Sequence, residues 1–453
     1  MVLSLSVLFL LYASQGVVAG LIGATLPLAL KRYVSYSQVG LFSIAFYPYS
    51  VKALWSPLID ATGQGRRKRW ISLSMMVSGL GLLLLALRMP SFVQIIVQGD
   101  PPSVVLTIGL LLLVVLASAT QGAAADGWAL TLFPPTHLHY VSTAHNLGLV
   151  VGEFGSYTGF LWLSSATSRE RQRQEALLSA FVFFWSVFML SVVLPCVVAT
   201  TDVASRLKPK SISSSYMKAV GLLRLRPVQT IIAVHLCSWI PFEAHDTATN
   251  LKLLGLGFGE ARLAWVSVID FVFDLLTTYL AGMLCSRMEP LELWCWAFAG
   301  RTAFVMFSQA VLFTYSRESS WSTALVILEH AGSTSTGTIM FVAFLTFHFR
   351  VADPDVGSTY MTLLATAQNL GKTVPRPLVM FLVDYTTVTA CDPVAVPGRL
   401  AQSLQSRSCR ISVDGFYVVS SLSVVIGSLL FVFYLRPAVL ALQRAPLAAW
   451  NSF

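Results

Sequence analysis

Twelve mostly apolar runs follow one another along the chain, at approximately 3-30, 36-59, 70-88, 104-131, 139-163, 177-199, 227-253, 262-284, 291-314, 321-346, 358-383 and 414-436. A helix needs about 20 such residues to cross a bilayer, and in lipid each backbone amide must be satisfied within its own segment. The pattern therefore predicts an all-α polytopic membrane protein with twelve transmembrane helices. Composition agrees, since 55% of residues are apolar and 11% charged, against about 25% charged in a soluble domain. The first run lacks a basic start and is too long for a signal peptide, so it reads as the first span.

A short repeat subdivides the twelve. TAHNLG at Thr143 to Gly148 recurs as TAQNLG at Thr366 to Gly371, offset by close to half of the 453 residues. Both copies open an apolar run, the fifth of its half. Parallel repeats of this kind are characteristic of secondary transporters, whose substrate sits between the halves near the bilayer midplane. The expected organisation is a six-helix bundle over 1-200, a basic linker over 201-226, a second six-helix bundle over 227-436 and a tail over 437-453.

Basic residues in short loops set orientation. Arg66, Arg67, Lys68 and Arg69 follow the second run, and Arg206, Lys208, Lys210, Lys218, Arg224 and Arg226 join the halves. Both groups fall on one side of a twelve-span protein, which reads as cytosolic, with both termini there. The formal net charge of +9 suits attraction to anionic lipid or an anionic solute, and no basic run interleaved with aromatics argues for nucleic acid. Cys196, Cys237, Cys285 and Cys295 fall in or beside spans and read as packing residues. Cys391 and Cys409 share the longest loop on the other side, where a disulfide persists if that side is an oxidising lumen. No metal-ligand spacing occurs, and no cofactor is implied.

Charge inside the spans is the next constraint. A charge at the bilayer centre costs about 2.5 to 3.5 kcal/mol on insertion scales, so such groups face the protein interior or a water-filled path. Lys52, Asp126, Glu153, Glu243, Asp246, Asp270, Asp274, Arg301, Glu329, Lys372 and Arg376 all lie within runs, whereas runs 3, 6 and 12 hold none away from their ends. Helical spacing gathers His235, Trp239, Glu243, Asp246 and Asn250 into one stripe, with Pro241 kinking the helix inside it. It also aligns Asn146, Glu153 and Tyr157; Lys52, Ser56 and Asp60; and Asn369, Lys372 and Arg376. These groups either line a path or pair with one another as structural bridges. Lys52 is too deep to snorkel, so its ammonium meets either a protein carboxylate, such as Asp126 or Glu153, or an anionic ligand.

Several stretches resemble the acetyl-coenzyme A transporter family of the major facilitator superfamily. They are YASQG (Tyr12 to Gly16), FYPYSVKALWSPLID (Phe46 to Asp60) with GRRKRW (Gly65 to Trp70), ATQGAAADGWALTLF (Ala119 to Phe133), ADPDVGSTYMTLLATAQNLG (Ala352 to Gly371) and VDGFYV (Val413 to Val418). Bacterial muropeptide permeases share the weaker elements. The resemblance implies the major facilitator fold, in which every third helix is peripheral, and a carrier in the endoplasmic reticulum membrane that brings acetyl-CoA into the lumen in exchange for CoA.

For such a solute the candidate translocation residues are Gln15, Tyr49, Lys52, Trp55, Gln121, Asp126, Asn146, Glu153, Trp239, Glu243, Asp246, Arg301, Asn369, Lys372 and Arg376. Cations replace phosphate hydration, and aromatic or amide surfaces receive the base. Asp60 with Arg66, Arg67 and Lys68 resembles the superfamily's cytosolic latch. The chain departs from the family pattern at Gly122, where Asp is usual, at Val18, where Pro is usual, and at Lys372 to Pro375, where Gly-Asn-Trp-Pro is usual. Two other functions stay open: a carrier of another amphipathic solute, and a membrane-embedded acyltransferase using Glu329 and His330, whose adjacency points them to different faces.

Overall fold

The computed structural model describes residues 2–26, 29, 43–63, 67–98, 101–166, 171–198, 211–316, 319–393 and 407–450. Helix dominates. α1 (Val2–Gly20) runs into a π turn (Leu21–Thr25). A broken stretch follows, with a 3-10 turn (Ser43–Phe46), α2 (Tyr47–Val51), a second 3-10 turn (Lys52–Leu54) and α3 (Ser56–Gly63). Next come α4 (Arg67–Leu87), α5 (Met89–Gln98), α6 (Pro101–Leu132), α7 (Leu138–Ala166) and α8 (Arg171–Val198). α9 (Ile212–Arg224) lies between the two copies of the repeat. Beyond it lie α10 (Arg226–Ser238), α11 (Glu243–Gly255), α12 (Glu260–Arg287), α13 (Pro290–Thr314), α14 (Ser320–Val351), α15 (Gly357–Thr373) and α16 (Pro375–Thr386). A two-stranded ribbon of β1 (Val388–Pro393) and β2 (Arg407–Val413) precedes α17 (Gly415–Leu430), a π turn and α18 (Arg436–Arg444).

Among the described residues, seven helical stretches are long and apolar enough to cross a membrane, and two bent pairs bring the number to nine if each pair is one span. Among the described residues three expected spans are interrupted, the run 358-383 by the single residue Val374 between α15 and α16. The run 36-59 breaks around Lys52, its first residues lying outside the described ones, and the run 227-253 stops at Ser238 and resumes at Glu243. Pro241 explains the break after Ser238, because it lacks an amide proton and its ring clashes with the preceding turn. The ribbon is the departure from an all-α chain. It pairs antiparallel and sets Cys391 directly opposite Cys409. Arg66, Arg206, Lys208 and Lys210 lie outside the described residues.

The repeat has a packing meaning. A Cβ added to Gly148 would lie 2.7 Å from the Phe9 carbonyl oxygen in α1, and one added to Gly371 would lie 2.1 Å from the His235 carbonyl oxygen in α10. Each copy therefore brings its helix into backbone contact with the first long helix of its own half. We predict that Gly371→Val, which must push α15 off α10, lowers stability by about 1 to 3 kcal/mol through overpacking. Gly255→Val, whose new side chain meets nothing within 4 Å, serves as the control in thermal melts; equal effects of the two would contradict the close approach.

Apolar packing holds the frame. One core gathers residues of both halves, among them Leu8, Trp128, Phe242, Trp294 and Tyr360, and another lies around Leu21, Leu82, Val114 and Phe160. Between halves, Phe154 of α7 stacks on Phe271 of α12 at 3.5 Å, and Asn146 donates to the Thr278 hydroxyl at 2.7 Å. α7 carries more polar residues than its neighbours, consistent with a helix that faces the interior.

The opposed cysteines give a second prediction. A crosslink between Cys391 and Cys409 is expected to stabilise by about 2 to 4 kcal/mol. Mass spectrometry of non-reduced protein from an oxidising compartment checks it; two free thiols there would remove the crosslink.

Candidate functional site

Two adjoining cavities lie between the halves and share a wall of Phe341, Gln368 and Asn369. The first, about 440 Å³, is lined by polar groups of α11 to α15 together with Asn146, Trp239 and Arg376. The second, about 340 Å³, is lined from the N-terminal side by Gln15, Tyr49, Lys52, Asp126, His145 and Glu153. The repeat converges here. His145 and Asn146 of the first copy and Gln368 and Asn369 of the second all face a cavity. His145 and Gln368 were missed as site residues, although their place beside the two asparagines in the repeat was the available signal.

The cations divide into spent and unspent. Arg301 holds both carboxylate oxygens of Asp246, at 2.9 and 2.8 Å, and lies over the rings of Trp239 and Phe242. Arg376 uses its Nε on Glu243 at 2.8 Å. Glu243 is fully buried while the Arg376 side chain is 45% exposed, which leaves the end of that guanidinium fork directed at open space. Lys372 lies 4.9 Å from the centre of the Trp239 ring. Among the described residues, neither Lys372 nor Lys52 has a carboxylate within 4 Å. The direct bridge from Lys52 to Asp126 or Glu153 is therefore not formed, although the Asp126 charge acts on this ammonium. Asp126 instead accepts from the Tyr12 hydroxyl at 2.9 Å and lies 3.8 Å from His145.

The two cavities differ in sign. Arg301, Lys372 and Arg376 outweigh Asp246 and Asp274 in the first, whereas Lys52 faces both Asp126 and Glu153 in the second. Asp274 accepts from Thr338, and Asp270 is met by His330 at 3.1 Å.

Three expected residues line neither of these two cavities. Trp55 donates to Thr120 at 3.1 Å, Gln121 donates to the Leu11 carbonyl at 2.7 Å, and Glu243 is sealed under Arg376. His235 leaves its expected stripe for a 2.9 Å contact with His348, because the helix break at 239–242 re-aims everything before it. Gly122 also acquires a reason: a Cβ there would lie 2.6 Å from Gln15 Oε1, so the Gln15 amide fills the space that a longer side chain would need.

One end of the molecule is tied shut across the halves. Asp60, 1% exposed, accepts from the backbone amides of Ser358 at 3.0 Å and Thr359 at 2.7 Å, at the start of α15. A carboxylate is favoured there because the first amides of a helix have no partner within it and carry its positive dipole. Arg67 joins the cluster, with Nη2 3.2 Å from Asp60 and 2.9 Å from the Pro354 carbonyl and Nη1 on the Gly127 carbonyl. Thr362 donates to Ser56 at 2.7 Å. Of the expected latch residues, Lys68 instead donates to the Val197 carbonyl at 2.9 Å.

A family profile described as acetyl-coenzyme A transporter 1 matches residues 4–209, 198–292 and 280–452. An uncharacterized protein of Schizosaccharomyces pombe is 31% identical over 98% of this chain and 88% of its own. An uncharacterized membrane protein of Saccharomyces cerevisiae is 29% identical over 98% and 96%. Among solved structures, a bacterial homologue of the iron transporter ferroportin in an outward-facing state has a TM-score of 0.64 at 12% identity, covering 95% of this chain and 98% of that one. The major facilitator transporter FucP in its outward conformation has 0.63 at 14%, covering 96% and 98%. At those identities the likeness concerns the fold. The chain is a member of the acetyl-coenzyme A transporter family and a multi-pass membrane transporter with the major facilitator fold, not an enzyme.

Proposed function

We propose that this transporter carries acetyl-CoA from the cytosol into the lumen of the endoplasmic reticulum, in exchange for CoA, by alternating access. Twelve spans in two six-helix bundles, over 1-200 and 227-436, rock about the paired cavities, with the basic linker 201-226, the tail 437-453 and both termini on the cytosolic side. The supporting observation is the first cavity, where Lys372 has no carboxylate within 4 Å among the described residues and Arg376 is half exposed. Lys372 and the free end of Arg376 take phosphate groups, for which charged donors make the strongest hydrogen bonds. Lys52, Tyr49 and Gln15 receive the remainder of the solute across the shared wall. Asp60 and Arg67 form the cytosolic gate, and the ribbon carrying Cys391 and Cys409 lies on the lumenal side.

The family match over the whole chain supports the substrate class. Competition tests it: uptake of labelled acetyl-CoA into liposomes holding the purified protein is expected to fall with unlabelled acetyl-CoA and with CoA, and to be indifferent to a muropeptide. Competition by the muropeptide alone would transfer the reading to the other amphipathic solute.

A further inference from the structure

His245 of α11 lies between two carboxylates. Its Nδ1 is 3.2 Å from Asp246 Oδ1 and its Nε2 is 2.8 Å from Glu329 Oε1 of α14. A carboxylate oxygen can only accept a hydrogen bond, and a neutral imidazole offers one N–H and one bare lone pair. With all three groups in their ordinary states at neutral pH, one contact would set two lone pairs against each other in a buried site. The arrangement is satisfied when it holds one further proton, either as an imidazolium or as a neutral Glu329. Asp246 is not the holder, because Arg301 occupies both of its oxygens. Glu329 is 2% exposed, and His245 is the hydrogen-bond partner of its carboxylate among the described residues, so the proton belongs to the line from His245 Nε2 to Glu329 Oε1.

The surroundings make this proton exchangeable and sensitive to cargo. His245, Asp246 and Arg301 all face the first cavity, and Glu329 lies behind His245. The charged groups around the imidazole are Asp246 and Glu243 of α11, Asp274 of α12, Arg301 of α13, Glu329 of α14, Lys372 of α15 and Arg376 of α16, with His330 and Asp270 paired nearby. Arg301 with Asp246 and Arg376 with Glu243 cancel. With its proton the His245–Glu329 pair is neutral, and without it the pair adds a buried negative charge to the wall of a cavity that holds Lys372 and, hydrogen-bonded to Thr338, Asp274. An anion arriving at Lys372 is therefore repelled by the unprotonated pair and accepted by the protonated one.

We infer that His245 and Glu329 form a proton-binding site that is filled together with the anionic substrate, so that the carrier binds acetyl-CoA with one proton. The proton enters from the open cavity and is released to the opposite side when the halves reorient and the substrate departs. Nothing is consumed, since the same proton that binds is the one released. The inference rests on the anion-carrier reading, and coupling between two ligands is reciprocal: substrate raises proton affinity by the factor by which the proton raises substrate affinity.

The test is calorimetric titration of the full-length purified protein with acetyl-CoA between pH 7 and 9.5, above the titration of the substrate's own phosphates, in two buffers of different ionisation enthalpy. The wild type is expected to weaken by about tenfold per pH unit once the site empties, the slope for one linked proton, and to take up one proton per acetyl-CoA there. Glu329→Gln, checked for folding by its melting temperature, is expected to show no proton uptake and a flat affinity, and His245→Gln serves if that variant does not fold. A wild-type affinity that is flat with no proton uptake overturns the inference and leaves the carrier reading standing. Retention of the linkage in both variants overturns the assignment to these residues. Absence of acetyl-CoA binding at every pH overturns the carrier reading and this inference with it.

Discussion

Changing Asp60 to Asn is expected to open the end of the molecule that Asp60 now holds shut. Its two oxygens accept from the Ser358 and Thr359 amides of α15 in the other half, at 3.0 and 2.7 Å, and from Arg67 of its own half at 3.2 Å. Asparagine keeps one accepting oxygen and turns an amide toward donors, so at least one helix-start amide and the Arg67 charge lose their partner. Leaving a buried helix-start amide unsatisfied costs about 1 to 3 kcal/mol, which at about 1.4 kcal/mol per tenfold disfavours the closed arrangement by roughly five- to a hundredfold. That cost falls on the closed arrangement because the two amides belong to the other half, whereas the loss of the Asp60–Arg67 pair, internal to one half, weighs on both arrangements. Ser56→Cys, placed at a fully buried position beside Thr362, reports it through maleimide labelling with the free cysteines replaced. Faster labelling in Asp60→Asn with folded protein is the expected result; an unchanged rate would mean that the cluster does not hold the gate.

The second large effect concerns the two unspent lysines. Lys372→Ala is expected to weaken acetyl-CoA binding by about ten- to a hundredfold, since a hydrogen bond to a charged group contributes about 1.5 to 3 kcal/mol. The apo melting temperature is expected to hold, because among the described residues no carboxylate within 4 Å is stranded. Lys52→Ala follows the same direction with a smaller loss, as Asp126 and Glu153 share its cavity and oppose an anion there. Arg at either position keeps charge but changes donor geometry, so each Arg variant is expected to fall between Ala and wild type. A large fall in apo stability with unchanged affinity would assign the lysine to structure and contradict the phosphate role.

Much of this arrangement was legible before any coordinates. The duplicated hexapeptide marked the helices that meet the cavities, because backbone contact at Gly148 and Gly371 and polar facing at Asn146 and Asn369 are the same physical demand made twice. Deep charges such as Lys52, Asp126, Asp246 and Lys372 lie on cavity walls because lipid would penalise them. What escaped was pairing and direction. Sequence spacing could not tell that Arg301 and Arg376 are committed to Asp246 and Glu243 while the lysines are not, since partners on different helices share no spacing. Helical spacing carried through the Pro241 kink sets His235 with Trp239, whereas the full break at 239–242 sends His235 to His348 instead. Helical spacing aligns Lys52 with Ser56 and Asp60, yet two prolines, Pro48 and Pro57, flank a 3-10 turn there. The stretches around Cys391 and Cys409 carry no strong strand pattern and read as a loop, whereas they pair as an antiparallel ribbon.

Exchange across a sealed membrane tests the transport proposal most directly. Liposomes holding the purified chain are loaded with unlabelled CoA, and labelled acetyl-CoA is added outside. The expected result is rapid uptake that depends on internal CoA, overshoots and then declines, with the label recovered inside as intact acetyl-CoA and with Lys372→Ala suppressing the signal. Uptake that is indifferent to internal CoA would contradict exchange, and no protein-dependent entry of acetyl-CoA under either condition would contradict the proposal that this transporter carries it.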